Sequence, residues 1–288
     1  MKILVIDKDP LTNQLISSKL TSRGHEVLVE PNKNQAIETL GDENFDCIIL
    51  DPAPLSETRP IILSIWRMVK TRIKPYMILL TKNEDMTTDQ AILSGNNDFI
   101  TKPLDMADVD EKMANAERFV DICRYLDTED KIEDTKGIIN KNAFNQLFLS
   151  SLDRAFRYGE RSLIVFINIS NYDRIKENSG KEGLDHFNNK IAEKMNLMRR
   201  QSDVIGRIGE RDYAILLQRP LYEAEPLDAV ARFADVLNKL HAEFIAKEST
   251  PSFELDLVEI PQGILHSRKE VPFKEQEVLF HEQEEVSA

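Results

Sequence analysis

Two groups of polar residues in this chain have types and positions that suit the handling of phosphate. The first group follows short apolar runs within the first 103 residues. Its members are Asp7, Lys8, Asp9, Asp51, Thr81 and Lys102. Because sites in parallel sheets lie at the carboxyl ends of the strands, we expect these residues to share one edge. Transfer of a phosphoryl group to a carboxylate requires cations that neutralise its oxygens, and a lysine or a bound metal supplies them.

The second group lies in the other half of the chain. Arg199, Arg200 and Asp203 come directly before two apolar runs, 204–207 and 213–218, which a tight turn joins into a predicted β-hairpin. An arginine can bind phosphate or a guanine edge through two parallel N–H groups, and a carboxylate can accept hydrogen bonds from guanine. These residues are therefore candidates for binding a nucleotide.

Length and charge restrict the possible partners. The chain has 288 residues, which predicts about two domains, and 37 basic against 50 acidic residues give a net charge of −13. An acidic surface repels both DNA and anionic lipid, so we expect no nucleic acid and no membrane surface as the main partner. No apolar run approaches the ~20 residues of a membrane span. The first apolar run meets Asp7 too early for a signal peptide, and a cytoplasmic location is expected.

The cysteines and histidines offer no sign of a metal or redox centre. Cys47 and Cys123 lie far apart in the sequence, without metal-ligand spacing. We expect buried thiols in a reducing compartment rather than a disulfide. The five histidines share no metal-ligand spacing either. No redox cofactor is expected.

The apolar pattern predicts two blocks of alternating strands and helices. Residues 1–125 are expected to form a doubly wound parallel sheet of the α/β class, whose last helix is extended. The charged residues 126–134 are the expected linker. Residues 135–267 are predicted to form an α+β domain, and the Glu-rich residues 268–288 a solvated acidic tail.

The first block resembles the receiver domain of two-component response regulators. The resemblance rests on residues 5–10, 49–51, 80–81 and 99–103, which occur in the family's order and spacing. It implies a flavodoxin-like fold in which Asp51 accepts a phosphoryl group from a sensor histidine kinase or a phosphotransfer protein. It also implies that Thr81 and Lys102 contact the phosphoryl oxygens, and that Asp7 and Asp51 help to hold Mg²⁺.

The metal corner of this pocket departs from the family pattern. Lys8 stands where the second carboxylate of an acidic pair belongs, and Asp9 is the next candidate ligand. An ammonium near Asp51 would take over the electrostatic role of the metal without its Lewis acidity. We therefore expect weakened Mg²⁺ binding and a pocket biased toward one conformation. In the alternative, Lys8 points outward and the pocket behaves normally.

The second block resembles the GGDEF domain, the diguanylate cyclase fold. The resemblance rests on residues 137–144, 166–172 and 204–213. The positions of the family's signature hold Gly209, Glu210, Arg211, Asp212 and Tyr213. The spacing of these segments and their apolar pattern agree with the family, whereas most polar identities do not.

The polar substitutions argue against cyclase activity. Asn168 replaces a metal-binding aspartate with a neutral amide, and Arg211 puts a guanidinium at the acidic centre of the signature. Glu210 adds a negative side chain where triphosphate would lie, and Lys176 replaces the asparagine that contacts guanine. Because phosphoryl transfer depends almost entirely on positioning and electrostatics, we expect a catalytically inactive domain.

In the GGDEF family an inhibitory site for cyclic di-GMP lies directly before this hairpin. Arg200 and Asp203 match its arginine and aspartate, and Arg199 adds a cation. The resemblance therefore implies a cyclic di-GMP receptor. Two alternatives stay open, since Asp203 could serve only the fold, and the domain could present only a surface for another protein.

These patterns together predict a response regulator with an inactive GGDEF output domain that binds cyclic di-GMP or docks a downstream protein. The alternative functions are an active diguanylate cyclase with an atypical site and a pure protein-binding scaffold.

One apolar stripe on the last helix of the first block bears on oligomeric state. It comprises Val109, Met113, Ala116 and Val120. It would serve either as a homodimer face or as simple core packing.

Overall fold

The chain forms two sheets, each packed against helices. A computed structural model describes residues 1–83, 85–128, 135, 137–244 and 250–271. Within these residues a five-stranded sheet belongs to the first domain and a six-stranded sheet to the second. The predicted fold class, a parallel-sheet domain followed by an α+β domain, is confirmed.

The first domain is a doubly wound parallel sheet. Its strands are β1 (Lys2–Ile6), β2 (Glu26–Val29), β3 (Cys47–Leu50), β4 (Tyr76–Thr81) and β5 (Asp98–Thr101), and its helices are α1 (Pro10–Ser22), α2 (Lys33–Asp42), α3 (Thr58–Met68), α4 (Thr88–Ser94) and α5 (Met106–Asp127). The strand order is β2-β1-β3-β4-β5, and every pair is parallel. Since β1 and β3 are neighbours, the residues that follow them, Asp7 and Asp51, meet at one edge.

Local sequence explains where these elements lie. Strands β3 and β4 are buried along their whole length, as expected for parallel strands covered on both faces. Helix α1 begins where the Asp9 side chain accepts a hydrogen bond from the backbone N–H of Leu11, at 3.1 Å. Pro10 occupies the first helical position, where its missing N–H costs nothing. The cap thereby holds the start of α1 beside the carboxyl end of β1.

The second domain is built around a mainly antiparallel sheet. Its elements are β6 (Ile139–Asn140), α6 (Lys141–Tyr158), β7 (Ser162–Ile169), α7 (Tyr172–Met198), β8 (Val204–Arg207), β9 (Asp212–Gln218), α8 (Glu225–Phe244), β10 (Phe253–Ile260) and β11 (Ile264–Val271). The order is β11-β10-β7-β9-β8-β6, and among the described strands of this second sheet only the β6–β8 pair is parallel. The predicted hairpin is β8–β9. Its register places Asp212 directly opposite Asn168 of β7.

Helix α7 carries a kink at Gly180, whose φ of 60° suits a residue without a Cβ. One boundary differs from the sequence-based expectation. The predicted tail boundary at 268 falls inside β11, where Arg268 forms an ion pair with Asp256 at 2.7 Å. Strand pairing therefore overrides the charged composition there. The rest of the tail, 272–288, and linker residues 129–134 lie outside the described residues.

A single apolar core joins the two domains. The cluster that contains Ile3 and Ile78 of the first domain continues through Phe119 of α5 into Phe144 and Phe148 of α6. These side chains are at most 3 % exposed. The contact between the domains therefore includes an apolar core that is closed to water.

The stripe on α5 belongs to this core. Val109, Met113 and Ala116 are fully buried, and Val120 is 7 % exposed. The interpretation of these residues as a homodimer face is therefore wrong, because no partner subunit can reach them while the chain is folded. Their spacing reflects packing within the chain.

The second domain contacts the amino-terminal edge of the first sheet. The turn between β10 and β11 offers three backbone carbonyls to it. Tyr76 Oη donates to Gln262 O at 2.8 Å, and Asn97 Nδ2 donates to Pro261 O at 2.8 Å. Arg118 donates to the carbonyl of Gly263 at 2.6 Å. Since Tyr76 begins β4 and Asn97 precedes β5, this contact lies at the opposite end of the strands from Asp51.

Both cysteines are free, buried thiols, as predicted. Burial raises the pKa of the Cys47 thiol and of the Cys123 thiol far above the ordinary value. Neither thiol therefore ionises near neutral pH.

Candidate functional site

An ammonium bridges two carboxylates at the carboxyl edge of the first sheet, one buried and one partly exposed. Lys102 Nζ donates to Asp7 Oδ2 at 2.6 Å and to Asp51 Oδ2 at 2.5 Å. The side chains of Asp7 and Lys102 are 3 % and 8 % exposed. Burial alone would lower the pKa of Lys102, but the hydrogen bonds to Asp51 and Asp7 outweigh it and raise that pKa. The lysine is therefore held as a cation between two anions.

The remaining carboxylate oxygens of this edge are also bound within the chain. Asp7 Oδ1 accepts from the N–H of Asp9 at 2.9 Å, and Asp51 Oδ1 accepts from the N–H of Ala53 at 3.0 Å. Asp9 itself accepts from Thr12 Oγ1 at 2.7 Å in addition to its capping bond, and these bonds lower its pKa. Asp9 thus serves the start of α1.

Two further predicted members of this pocket lie at its margin. Lys8 is exposed, and the ammonium that the structure places on Asp51 is that of Lys102. The exposure of Lys8 agrees with the alternative in which its side chain points outward. Thr81 is buried at the end of β4, where its Oγ1 accepts from the N–H of Asn83 at 3.0 Å. The structure brings Asp7, Asp51 and Lys102 into direct contact.

The turn of the β8–β9 hairpin is a second site, organised around Asp212. Asn168 Nδ2 donates to Asp212 Oδ1 at 2.6 Å, and Tyr125 Oη donates to Asp212 Oδ2 at 2.6 Å. Asn168 occupies one of the substituted positions, whereas Tyr125 comes from the end of α5 in the other domain. Both oxygens of this carboxylate therefore have partners from the protein.

Gly209 permits this arrangement. A Cβ at this position would collide with the Asp212 carboxylate and with the Tyr125 hydroxyl. The glycine is therefore required by the close approach of α5 to the turn. Sequence reasoning missed Tyr125, because an aromatic residue at the end of a helical pattern carries no signal of a contact 87 residues away.

Two substituted positions of the second site pair with each other. Lys176 Nζ lies 2.9 Å from Glu210 Oε2, with side chains 49 % and 67 % exposed. Arg211 is exposed, so its guanidinium is directed to solvent rather than to Asp212. Tyr213 is buried, and its hydroxyl donates to Asn188 Oδ1 at 3.1 Å. The charged groups that replace the family's glycine and asparagine thus neutralise each other at the surface.

The candidate ligand residues before the hairpin are also engaged. Asp203 is 4 % exposed and accepts from the backbone N–H of Arg200 at 3.0 Å, which closes the turn that leads into β8. Arg199 donates to the backbone carbonyl of Asp203 at 3.0 Å. The Arg200 guanidinium forms an ion pair with Glu225 at the start of α8, and its side chain is 37 % exposed. Glu225 was not anticipated from the sequence.

Two family models match this chain. The response regulator receiver domain matches residues 3–114, and the diguanylate cyclase GGDEF domain matches residues 134–263. The chain contains a response regulator receiver domain followed by a GGDEF domain. Thus α5 connects the receiver domain to the GGDEF domain, and Tyr125 is a residue of the connection that reaches the GGDEF signature turn.

Individual relatives resemble one domain or the other. An uncharacterized 14.6 kDa protein of Leptolyngbya boryana is 32% identical over 106 residues, covering 36% of this chain and 81% of that protein. The receiver domain of a sensor histidine kinase from Pseudomonas aeruginosa, solved with magnesium in its active-site cleft, is 22% identical with a TM-score of 0.35, covering 42% and 97%. The FimX GGDEF domain of the same organism is 16% identical with a TM-score of 0.40, covering 47% and 83%. Two further curated relatives are spanned over only 10% and 54% of their lengths.

The receiver pocket has part of what a magnesium ion needs. Asp7 and Asp51 lie close enough to share one ammonium, so they could hold a divalent cation between them, where it would neutralise the oxygens of an incoming phosphoryl group. To do so they must release Lys102. Across the described ranges, no group of three or more His, Cys, Asp or Glu side chains has a metal-binding arrangement. No helix in the described part of the chain is long and apolar enough to cross a membrane.

Proposed function

We propose that this response regulator signals without cyclase activity. In this proposal the receiver domain takes the input, and the GGDEF domain serves as a binding module that another molecule recognises. The observation that carries the proposal is the state of Asp212. Its two oxygens are taken by Asn168 and by Tyr125 of the receiver's own last helix.

The electrostatics of the signature turn favour the same conclusion. A cyclase needs carboxylates that gather metal ions around a triphosphate. Here Asn168 is neutral, Arg211 is cationic, and Glu210 is neutralised by Lys176. The turn therefore lacks the concentration of negative charge that would attract two divalent cations.

The catalytic part of the proposal is tested by incubating the full chain with GTP and either Mg²⁺ or Mn²⁺. We expect no cyclic di-GMP by chromatography and mass spectrometry after a prolonged incubation. Any product that depends on the chain, and that disappears in Asp212→Asn, would establish the alternative of an active atypical cyclase.

The input we propose is phosphorylation of Asp51 by a sensor histidine kinase or a phosphotransfer protein. Asp51 follows β3 at the edge where Lys102 can neutralise phosphoryl oxygens. Treatment with a small phosphodonor and Mg²⁺, followed by intact-mass measurement, should give one phosphate adduct that Asp51→Asn abolishes. Absence of an adduct at any Mg²⁺ concentration would mean that the pocket is locked by its lysine.

The output we propose is docking of a downstream protein on the GGDEF domain. Leu221 and Tyr222 are 85 % and 51 % exposed on the segment before α8. Apolar groups exposed together mark interaction sites more often than scattered ones do. Their exposure beside Glu225 makes this segment the first region to substitute in a pull-down against the cell's proteins.

Cyclic di-GMP binding at Arg200 is the second candidate function. It is favoured by the ion pair of Arg200 with Glu225, since a guanidinium that already binds a carboxylate can exchange it for a ligand phosphate. Calorimetry with cyclic di-GMP should give binding that Arg200→Ala abolishes. Arg268→Ala is the matched control, because Arg268 also pairs with a carboxylate at the surface. No heat with the native chain would leave protein docking as the sole function.

A further inference from the structure

A cavity of about 230 Å³ lies between the receiver domain and the GGDEF domain. The receiver contributes the end of α3, the loop before β4 and one side of α5, and the GGDEF domain contributes α6. Its apolar walls include Trp66, Met77, Phe119, Leu149, Leu152 and Phe156. It is separate from both sites described above, because it lies toward the amino-terminal edge of the sheet.

The cavity has the size and shape for one small ring. An apolar cavity of roughly 150 Å³ in a protein core accommodates benzene, so this one can hold a ring with one or two substituents. Trp66 and Phe156 come from different domains, and their ring centroids are 5.6 Å apart at an interplanar angle of 59°. Aromatic walls of this kind favour an aromatic guest through edge and face contacts.

The lining of this cavity includes the exposed residue Lys74, whose ammonium is available to a guest at the cavity mouth. Lys74 Nζ donates to the carbonyls of Trp66 and Val69 at 3.0 and 3.1 Å, and no carboxylate of the described residues pairs with it. Burial lowers the pKa of Lys74, as expected for an ammonium without a counter-ion.

The other polar residues of the wall are already satisfied. Asn97 accepts from the N–H of Met77 at 2.9 Å and donates to the carbonyl of Pro261. Arg72 pairs with Asp127 at 3.4 Å, and Asp153 pairs with Arg157 at 2.9 Å. Lys74 is therefore the charged residue of this wall that has no oppositely charged partner among the described residues.

We propose that this cavity binds a small aromatic carboxylate. Its ring packs against the receiver's Trp66 and the GGDEF domain's Phe156, which contact each other, and its carboxylate pairs with Lys74. Because the walls come from both domains, a bound molecule stabilises the docked arrangement of the two. This site does not depend on whether the GGDEF domain is catalytic or binds cyclic di-GMP.

The cavity contains its own reporter, since Trp66 is the only tryptophan among the 288 residues. The full chain is titrated with benzoate while Trp66 emission is recorded with excitation beyond benzoate's absorption. We expect a saturable change with a dissociation constant of about 1 mM or tighter, the range open to a ligand of this size. A response that stays linear in benzoate concentration would overturn the proposal.

Three comparisons separate this site from general quenching. Lys74→Met should weaken the binding of benzoate at least fivefold. Lys70 is a nearby exposed lysine that does not line the cavity, so Lys70→Met should leave the affinity unchanged. Neutral benzamide should bind at least fivefold more weakly than benzoate. Leu152→Phe, which fills the cavity, should abolish saturation, with circular dichroism confirming the fold, and Leu149→Phe serves if that variant does not fold. Equal binding of benzoate by the filled variant would refute the site.

Discussion

The hydroxyl of Tyr125 donates a 2.6 Å hydrogen bond to Asp212, across 87 residues of sequence and from one domain to the other. The second oxygen of the same carboxylate is held by Asn168. The last turn of the receiver's final helix is therefore attached to the turn that carries the GGDEF signature. Any displacement of α5 must either move this turn or break the bond.

Removal of the Tyr125 hydroxyl should loosen this attachment. We expect Tyr125→Phe to lower the free energy of unfolding by about 1 kcal/mol, because the bond is charge-assisted but partly exposed. Urea unfolding followed by circular dichroism measures the change. Tyr158→Phe is the control, since Tyr158 is 68 % exposed. Equal stability of the two variants would mean that the bond contributes nothing in solution.

A methyl group at Gly209 should disrupt the same contact by collision. Gly209→Ala places its Cβ against the Asp212 carboxylate and the Tyr125 hydroxyl, so we expect a loss of about 1–3 kcal/mol. The double variant with Tyr125→Phe should lose less than the sum of the two, because the hydroxyl that collides is gone. Strict additivity in urea unfolding would show that the turn relaxes away from α5.

Removal of Lys102 should convert the receiver pocket into a stronger cation site. In Lys102→Ala the carboxylates of Asp7 and Asp51 lose their shared cation, and we expect a destabilisation of about 2–3 kcal/mol without metal. Added Mg²⁺ should then raise the melting temperature of the variant more than that of the native chain. Lys8→Ala, which alters an exposed lysine nearby, should respond to Mg²⁺ like the native chain. A larger Mg²⁺ response in Lys8→Ala would instead support the original expectation that Lys8 opposes the metal.

Release of Arg200 from Glu225 should strengthen the binding of any ligand that contacts this guanidinium. We expect Glu225→Gln to increase the affinity for cyclic di-GMP about tenfold, equivalent to about 1.4 kcal/mol, because the competing charge is removed. Glutamine keeps the acceptor that the backbone N–H of Leu221 uses. Glu160→Gln is the matched control, since Glu160 pairs with Arg219 and not with Arg200. Calorimetry that finds unchanged or weaker binding in Glu225→Gln would argue against Arg200 as the ligand residue.

Stability should fall as the pH drops below about 6.5, partly because of His25. Burial lowers the pKa of this histidine, and the neighbouring N-terminal ammonium acts in the same direction. The unfolded chain therefore binds a proton there before the folded chain does, so stability is complete above about pH 6.5 and declines through the range below it. His25→Gln should flatten the pH dependence of the melting temperature between pH 7 and 5. The exposed His186→Gln should not, and equal slopes in both variants would assign the decline to other groups.

The local pattern of apolar and polar residues is sufficient to predict most of the fold. Continuous apolar runs identify the parallel strands, and the polar residues after them converge because such strands end at one edge. On this basis Asp7, Asp51 and Lys102 were expected together, and their hydrogen bonds join them. The sequence leaves open which lysine supplies the bridging ammonium, because the spacing of Lys8 does not determine the direction of its side chain.

The sequence pattern does not predict the contacts between distant elements. Tyr125 with Asp212, and Arg200 with Glu225, depend on how α5 and α8 pack, which periodicity does not specify. The pairing of Lys176 with Glu210 likewise links two substitutions that look like independent losses. Composition does not predict the full length of strand β11, because its charged residues are typical of a tail. Antiparallel pairing with β10 holds them in the sheet.

The continuous hydrophobic core has a consequence for how this chain can be divided or recombined. A cut after Asp127 would leave Phe119, Cys123 and Leu126 facing water, since they pack in the same cluster as Phe144 and Phe148. A chimera that carries another receiver would need matching side chains along its own fifth helix. A substitution on either side of this shared core therefore has to be matched by the side chains that it faces.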